Sequence, residues 1–255
     1  MTLHELDLWF RSFLKMEDYA QDPSQNGIQI QNAQPDTKKI EKIAFAVDAC
    51  EETVRRAAQA GADMLFVHHG LFWSHEKTLT GAHYRRISAF IQSDIALYAC
   101  HLPLDAHEQV GNNYGLARRL NLQNPARFGL WRGMLIGVRG DFETPVDMDT
   151  VLARLFPNGE KPLSVLPFGK KRIQNAAIIS GGAGADVSQA IAQNIDLFIT
   201  GEIGHEQYHE ALENGIHLIA GGHYQTETVG VSLMAEKVQC ELHIPTVFID
   251  VPTGL

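Results

Sequence analysis

Asp63-Met64-Leu65-Phe66-Val67-His68-His69-Gly70 is the stretch from which the fold is read. Its short apolar run is the pattern of a buried strand, not of a half-exposed one that alternates. The run ends abruptly in two histidines and a glycine. Imidazoles gain little from burial at the end of an apolar strand, so the pair points to a metal or catalytic site.

Outward from this strand the chain alternates. Upstream, Ile43 to Asp48 reads as a buried strand and Glu51 to Ala60 as a helix closed by Gly61. Downstream, Tyr84 to Gln92 is a helix, Ile95 to Ala99 a strand and Asn112 to Leu120 another helix. Such alternation is the signature of parallel βαβ units. At the N-terminus Leu3, Leu6, Phe10, Phe13 and Leu14 recur at helical spacing, up to the turn cluster Gln21-Asp22-Pro23-Ser24-Gln25-Asn26-Gly27. Ile28 to Gln31 then alternates like a half-buried strand. From Phe128 to Pro167 the pattern changes: Met134 to Val138 reads as a strand, Val151 to Leu155 as a short helix and Leu163 to Leu166 as a strand. A lobe junction is expected there.

The second half then repeats the first. Ile43 to Asp48 leads through a helix to Asp63–Gly70; Ala176-Ala177-Ile178-Ile179-Ser180 leads through a helix to Asp196-Leu197-Phe198-Ile199-Thr200-Gly201-Glu202. The next strands also correspond, Ile95 to His101 with Ile216 to His223. Four residues after each terminal histidine stands a carboxylate, Asp105 or Glu227, followed by Gly111 or Gly230 and a helix. This reads as internal duplication of a βαβαβα half. The expected fold is α/β, with two similar, intimately packed lobes and a dinuclear metal cleft between them. Residues 1–125 carry His68, His69 and Asp105, and residues 126–255 carry His223 and Glu227. Ligands of open α/β sheets gather beyond the carboxyl ends of strands. His68, His69, His101 and Asp105 fall at such ends in one half, and Glu202, His223 and Glu227 in the other.

Imidazoles and carboxylates are ligands that Zn, Fe, Mn or Ni accept, and the lack of a cysteine ligand disfavours Fe–S clusters and Cu(I). Neighbouring strand residues point to opposite faces. His68 and His69 therefore suit two ions bridged by a carboxylate better than one chelated ion. Two metals roughly 3.5–4 Å apart form a hydrolytic clamp. For a single histidine a hydrogen-bonded polar rim is the plainer explanation, but two matched strand ends with His-x-x-x-Asp/Glu outweigh it.

Other motifs carry less. His205-Glu206-Gln207-Tyr208-His209 fits His-Glu-x-x-His, but the helix is brief and no third ligand follows. A metallopeptidase is a remote alternative, and a solvent-facing helix the better reading. Ser180 to Asp186 is a glycine turn that could offer N–H groups to phosphate, although tight-turn geometry accounts for it. Lys170-Lys171-Arg172 reads as a solvated turn. Phe72-Trp73 reads first as core packing, and second as a pocket wall or base-stacking surface. His75, His83, His107, His217 and His243 are expected on loops or helix surfaces, without a role.

Bulk properties narrow the function. The 255 residues, 45% hydrophobic and 20% charged, suffice for one large α/β domain or two lobes. A net charge of −9 argues against nonspecific binding of duplex DNA. Met1 to Ala20 intersperses Glu5, Asp7, Arg11, Glu17 and Asp18 among apolar residues, which makes an amphipathic helix and not a signal peptide. No apolar run approaches spanning length, so a cytoplasmic protein without a membrane partner is expected. Cys50, Cys100 and Cys240 form no Cys-x-x-Cys and are expected to be buried, reduced thiols.

Several stretches together resemble one family across essentially the whole chain. They are Pro23-Ser24-Gln25-Asn26-Gly27-Ile28-Gln29, Val67 to Trp73, His101 to His107 with Gly111-Asn112-Asn113, Phe198 to Glu202, Gly222 to Glu227, and Phe248-Ile249-Asp250. The family is that of the type 2 GTP cyclohydrolase I homologues, Nif-three-like dinuclear metal-binding proteins. The His-His-Gly-Leu-Phe-Trp form is similar to the compact bacterial branch. The resemblance implies five ligands, His68, His69, Asp105, His223 and Glu227, holding two divalent ions per chain (Zn, Fe, Mn or Ni). It also implies a toroidal homohexamer whose sites face an internal cavity. The implied activity is a hydrolase reaction on a nucleotide, in which hydroxide formed at the metals opens the purine ring. His101 would serve as the catalytic proton donor, and Glu202, by its position, would support a ligand from behind. Two alternatives stay open: a metal-dependent phosphoesterase or nucleotide-damage hydrolase, and a non-catalytic metal-binding or metal-delivery factor.

Overall fold

In a computed structural model of the chain, which describes residues 1–75 and 77–255, the first half runs α1 (Leu3–Leu14), β1 (Gly27–Ile30), β2 (Ile43–Asp48), α2 (Glu51–Gln59), β3 (Met64–His69), α3 (Gly81–Ser93), β4 (Ala96–Ala99), α4 (Leu102–Asp105) and α5 (Asn112–Leu120). There follow β5 (Leu122–Trp131), β6 (Met134–Val146), α6 (Met148–Leu155), β7 (Ser164–Pro167), β8 (Ile173–Ile178), α7 (Val187–Ala192), β9 (Leu197–Thr200), α8 (Glu206–Asn214), β10 (His217–Ala220), α9 (His223–Leu242) and β11 (Thr246–Phe248). The chain divides into two compact units. Unit 1 comprises Met1–Leu104 and Val231–Val251; unit 2 comprises Asp105–Gly230 and Pro252–Leu255.

In unit 1, α1 begins at a capping box in which Thr2 accepts from the Glu5 N–H and Glu5 reaches back to the Thr2 N–H. The sheet order is β1-β4-β3-β2-β11. The β2, β3 and β4 pairings are parallel and β1 runs antiparallel to β4. Register explains the core. Phe45 lies opposite Phe66, and Phe66 opposite Tyr98, so an aromatic row crosses three strands on one face. Phe10 of α1 packs against it, with ring centroids 5.1 Å from Phe66 and 4.9 Å from Tyr98. The alternate residues Ala44, Ala46, Leu65, Val67, Leu97 and Ala99 face the other way and form a second cluster with Val54 and Ala57 of α2 and Ile87 and Phe90 of α3. Two-sided burial is why these strands read as continuous apolar runs. Asp63, at the mouth of β3, accepts from the Glu41 N–H at 2.9 Å and the Lys42 N–H at 3.2 Å, which fixes where β2 and β3 start.

Unit 2 repeats the plan. Its sheet order is β5-β6-β8-β9-β10-β7, with β8, β9 and β10 mutually parallel and β7 antiparallel to β10, as β1 is to β4. Asp196 stands where Asp63 stands in unit 1 and accepts from the Gln174 N–H at 2.9 Å. The two lobes are similar, as the duplication predicts.

Three expectations change. The stretch expected as a lobe junction is the long β5–β6 hairpin, which extends the unit 2 sheet alongside β8. Its strand alternation is broken by a register shift between Gln123 and Ala126, and by several exposed polar residues. The division at 125/126 also moves. Asp105 and α5 belong to unit 2, where α5 packs on β6, and the C-terminal half of α9 with β11 returns to unit 1, where β11 pairs with β2. Finally, Glu227 and Gly230 lie inside the continuous helix α9, whereas Asp105 ends the short α4 and Gly111 caps the separate α5. Among the described residues no helix is long and apolar enough to cross a membrane.

Candidate metal centre

Unit 1 gathers three imidazoles at the carboxyl ends of its strands. His68 and His69 are the last residues of β3, and His101 follows β4 directly. Each offers a ring nitrogen to a group whose ligand atoms all lie within 4.8 Å of one another, an arrangement able to hold a metal ion. Strand alternation alone would send His68 and His69 to opposite faces, yet their ring centroids are 4.6 Å apart, because the ladder ends there.

The other ring nitrogen of each is tied back. His68 Nδ1 lies 3.0 Å from the Cys100 carbonyl oxygen. His69 Nδ1 lies 2.9 Å from Asp48 Oδ1, its cross-strand neighbour at the end of β2. His101 Nδ1 lies 2.9 Å from Asp22 Oδ1. Carbonyl and carboxylate oxygens only accept, so Nδ1 donates in all three and Nε2 carries the lone pair. This is how metal-ligating histidines are usually prepared: the bond behind the ring fixes tautomer and orientation and raises basicity. The Asp22 side chain is 1% exposed and also accepts from Asn26 Nδ2 at 2.8 Å and from the Ser24 and Leu102 N–H groups, both at 3.0 Å. Burial alone would raise its carboxyl pKa, but the His101 and Asn26 bonds hold it below the usual carboxylate value. Asn26 further accepts from the His101 N–H at 2.8 Å. Asp22 and Asn26 read in the sequence only as turn formers; their service to His101 needs the fold.

Unit 2 gathers the remaining donors. Asp105 Oδ1 accepts from Asn112 Nδ2 and from Ser180 Oγ, each at 2.8 Å. Asn112 Oδ1 in turn accepts from the Gly230 N–H at 2.6 Å, tying Asp105 to α9. His223 opens α9 and Glu227 stands one turn later. His223 Nδ1 bonds Glu202 Oε1, and its Nε2 lies 3.2 Å from Glu227 Oε1. The Glu227 hydrogen bond pushes the His223 pKa up to about 9, against the opposing effect of burial, and Glu202 adds to the rise. Glu202 thus stands behind His223 as Asp48 stands behind His69. A divalent ion at Nε2 would replace a proton shared with Glu227. The three imidazoles of unit 1 therefore fit a divalent metal, and unit 2 supplies an imidazole and carboxylates of the kind such an ion accepts.

The glycine turn serves the same residues. Its N–H groups are used inside the protein, Gly181 toward Thr226 Oγ1 at 3.1 Å and Ala183 toward Thr200 Oγ1 at 3.2 Å. Gly181 has a φ of +66°, and a Cβ there would overlap Glu227 Oε1 and come within 3.1 Å of His223 Nε2. The turn is glycine because it passes against these side chains, a requirement that tight-turn chemistry alone did not reveal.

The other motifs resolve plainly. His205 precedes α8 and is exposed, as is His209, so the His-Glu-x-x-His pair lies on a solvent-facing helix. His217 corrects an expectation: it is buried in β10, where its Nδ1 accepts from the Gly169 N–H at 3.3 Å and its Nε2 donates to the Lys170 carbonyl at 2.7 Å. All three cysteines are free, but only Cys100 is buried; Cys50 is half-buried and Cys240 exposed on α9.

Comparison with known proteins finds one family along the whole chain. The family model of Duf34/NIF3 (NGG1p interacting factor 3) matches residues 1–254. A GTP cyclohydrolase 1 type 2 homolog of Treponema pallidum is 46% identical over 289 residues, covering 100% of both chains. A protein of the same name from Deinococcus radiodurans is 40% identical over 251 residues, covering 98% of this chain and 94% of that one. The crystal structure of TTHA1606 from Thermus thermophilus superposes with a TM-score of 0.89 at 38% identity over 100% of both chains. The chain therefore belongs to the Duf34/NIF3 family.

Proposed function

We propose that the protein is a dinuclear-metal-dependent hydrolase acting on a nucleotide, with His68, His69, Asp105, His223 and Glu227 as the ligands of two divalent ions. The observation that carries the reading is the shared preparation of four imidazoles. His68, His69, His101 and His223 each spend Nδ1 on an oxygen acceptor, Cys100 O, Asp48, Asp22 and Glu202 respectively, which commits Nε2 to the site. When bound, the ions would supply Lewis-acid activation of water. The chain supplies the proton traffic. Asp22 holds His101 as the Nδ1–H tautomer, so Nε2 is the atom that accepts a proton from water and returns it to a ring nitrogen of the substrate. Asn112 and Ser180 hold the Asp105 carboxylate in one orientation. The nucleotide class rests on the name shared by the relatives at up to 46% identity.

The reading includes a cytoplasmic location and a toroidal homohexamer. Tyr84 and Ile91, exposed seven residues apart on α3, offer apolar surface for self-association; native mass spectrometry reads the number of chains. The reaction is tested by loading purified protein with Zn, Mn or Fe, adding GTP and assaying formate. Formate is expected from the wild type and not from His68→Ala or Glu227→Ala. No formate above those controls sinks the ring-opening reaction.

A further inference from the structure

The half-buried indole of Trp73 is pinned beside the His69 and His101 rings by hydrogen bonds to its own segment. Its backbone forms a bridge with Ser24, and its carbonyl accepts from Gln25 Nε2 at 3.2 Å. The Gln25 N–H donates to the Phe72 carbonyl at 3.1 Å. Gln29 grips the preceding residues: its Oε1 accepts from the Leu71 and Phe72 N–H groups at 2.7 and 3.1 Å, and its Nε2 donates to the Phe72 carbonyl at 3.1 Å. Gly70 is glycine because a Cβ there would run into the Gln29 amide. Two glutamines of one short segment thus fix the course of Gly70 to Trp73.

The ring is fixed as well. Trp73 Nε1 donates to the Gly70 carbonyl at 3.1 Å, so the only polar atom of the indole is spent within its own turn. What the ring presents is π surface. It stands edge-to-face with His101, centroids 5.1 Å apart at 76°, and 6.2 Å from the His69 ring. An aromatic surface beside metal-type imidazoles, with its donor already satisfied, suits a planar ring held by stacking rather than by hydrogen bonds.

We propose that Trp73 is the stacking platform that places the purine-type heterocycle of the substrate beside His69 and His101, with Gln25 and Gln29 as its positioning residues. Stacking on one face leaves the ring edge free to meet His101 Nε2. The inference rests on the nucleotide reading above, but it concerns binding and can be tested apart from turnover.

The test is calorimetric titration of the metal-loaded chain with GMP and with ribose 5-phosphate, which share the sugar phosphate and differ in the base. The wild type is expected to bind GMP more tightly. Trp73→Leu, which stays apolar without an aromatic face, should weaken GMP by about 5- to 150-fold, the range of base stacking on an aromatic side chain, and leave ribose 5-phosphate unchanged. Trp73→Phe should restore most of the GMP affinity. Metal content and melting temperature of each variant report whether the site is intact. GMP affinity in Trp73→Leu equal to the wild type, or equal affinity of the wild type for both ligands, overturns the proposal. Absence of formate in the GTP assay, with base-dependent binding lost in Trp73→Leu, would remove the reaction and leave the platform standing.

Discussion

Replacing Gly181 by alanine should damage both the fold and the metal centre, while the same change one residue later should do neither. At Gly181 the φ of +66° costs an L-residue about 1–2 kcal/mol. The added Cβ would overlap Glu227 Oε1, and the backbone cannot give way. The Gly181 carbonyl accepts from the Gly201 N–H at 2.9 Å and the Glu202 N–H at 3.0 Å, and its N–H is held by Thr226. The Glu227 carboxylate must therefore turn aside, at roughly 0.5–1.5 kcal/mol for an off-rotamer side chain. Together these give about 1.5–3.5 kcal/mol of destabilisation in metal-free protein, plus weakened metal binding as a proposed ligand leaves its place. At Gly182 a Cβ would meet only His223 Cε1, at an ordinary 3.9 Å, and Gly182→Ala should change stability by less than about 0.5 kcal/mol. Urea denaturation with chelator present measures the first quantity, and calorimetric titration with Zn the second. Equal behaviour of the two variants in both assays would refute the close-approach account of the turn.

Two further outcomes follow from individual contacts. Asp48→Ala removes the acceptor behind His69 Nδ1 and should weaken metal binding by about 10- to 100-fold, the usual effect of losing such a partner; a Zn competition titration reads it. Asp94 is held below the usual carboxylate value, first by Lys38 Nζ at 2.7 Å and then by the Ala33 N–H. Its contribution is fully present above the ordinary aspartate pKa and is lost as pH falls through the lowered folded value. With the side chain 39% exposed it stays below about 1 kcal/mol. The stability difference between wild type and Asp94→Asn in urea should therefore shrink steadily as pH falls below about 4.

Much of the fold was legible because β2, β3, β4, β9, β10 and the second half of β8 (Ala176 to Ile178) are buried on both faces and so read as largely apolar runs. Their ends were legible because histidines and carboxylates stand there against the apolar trend. Of the β5–β6 hairpin only Met134 to Val138 was legible, since a register shift and exposed polar residues erase the period of two in β5. The return of the chain into unit 1 was hidden because α9, His223–Leu242, continues as one helix through Gly230, which in the sequence reads as the residue before a helix. Asp22 and Asn26 were legible only as a turn, since their partner His101 lies about eighty residues away in sequence. His217 was read as a surface residue although its strand was legible, because the groups that satisfy its buried ring, the Gly169 N–H and the Lys170 carbonyl, lie far away in sequence.

The central claim is that five side chains hold two divalent ions, and elemental analysis of freshly purified protein tests it most directly. The account predicts two metal ions per chain in the wild type, with loss of one or both in each of His68→Ala, His69→Ala, Asp105→Ala, His223→Ala and Glu227→Ala. Full metal retention in all five variants would contradict it.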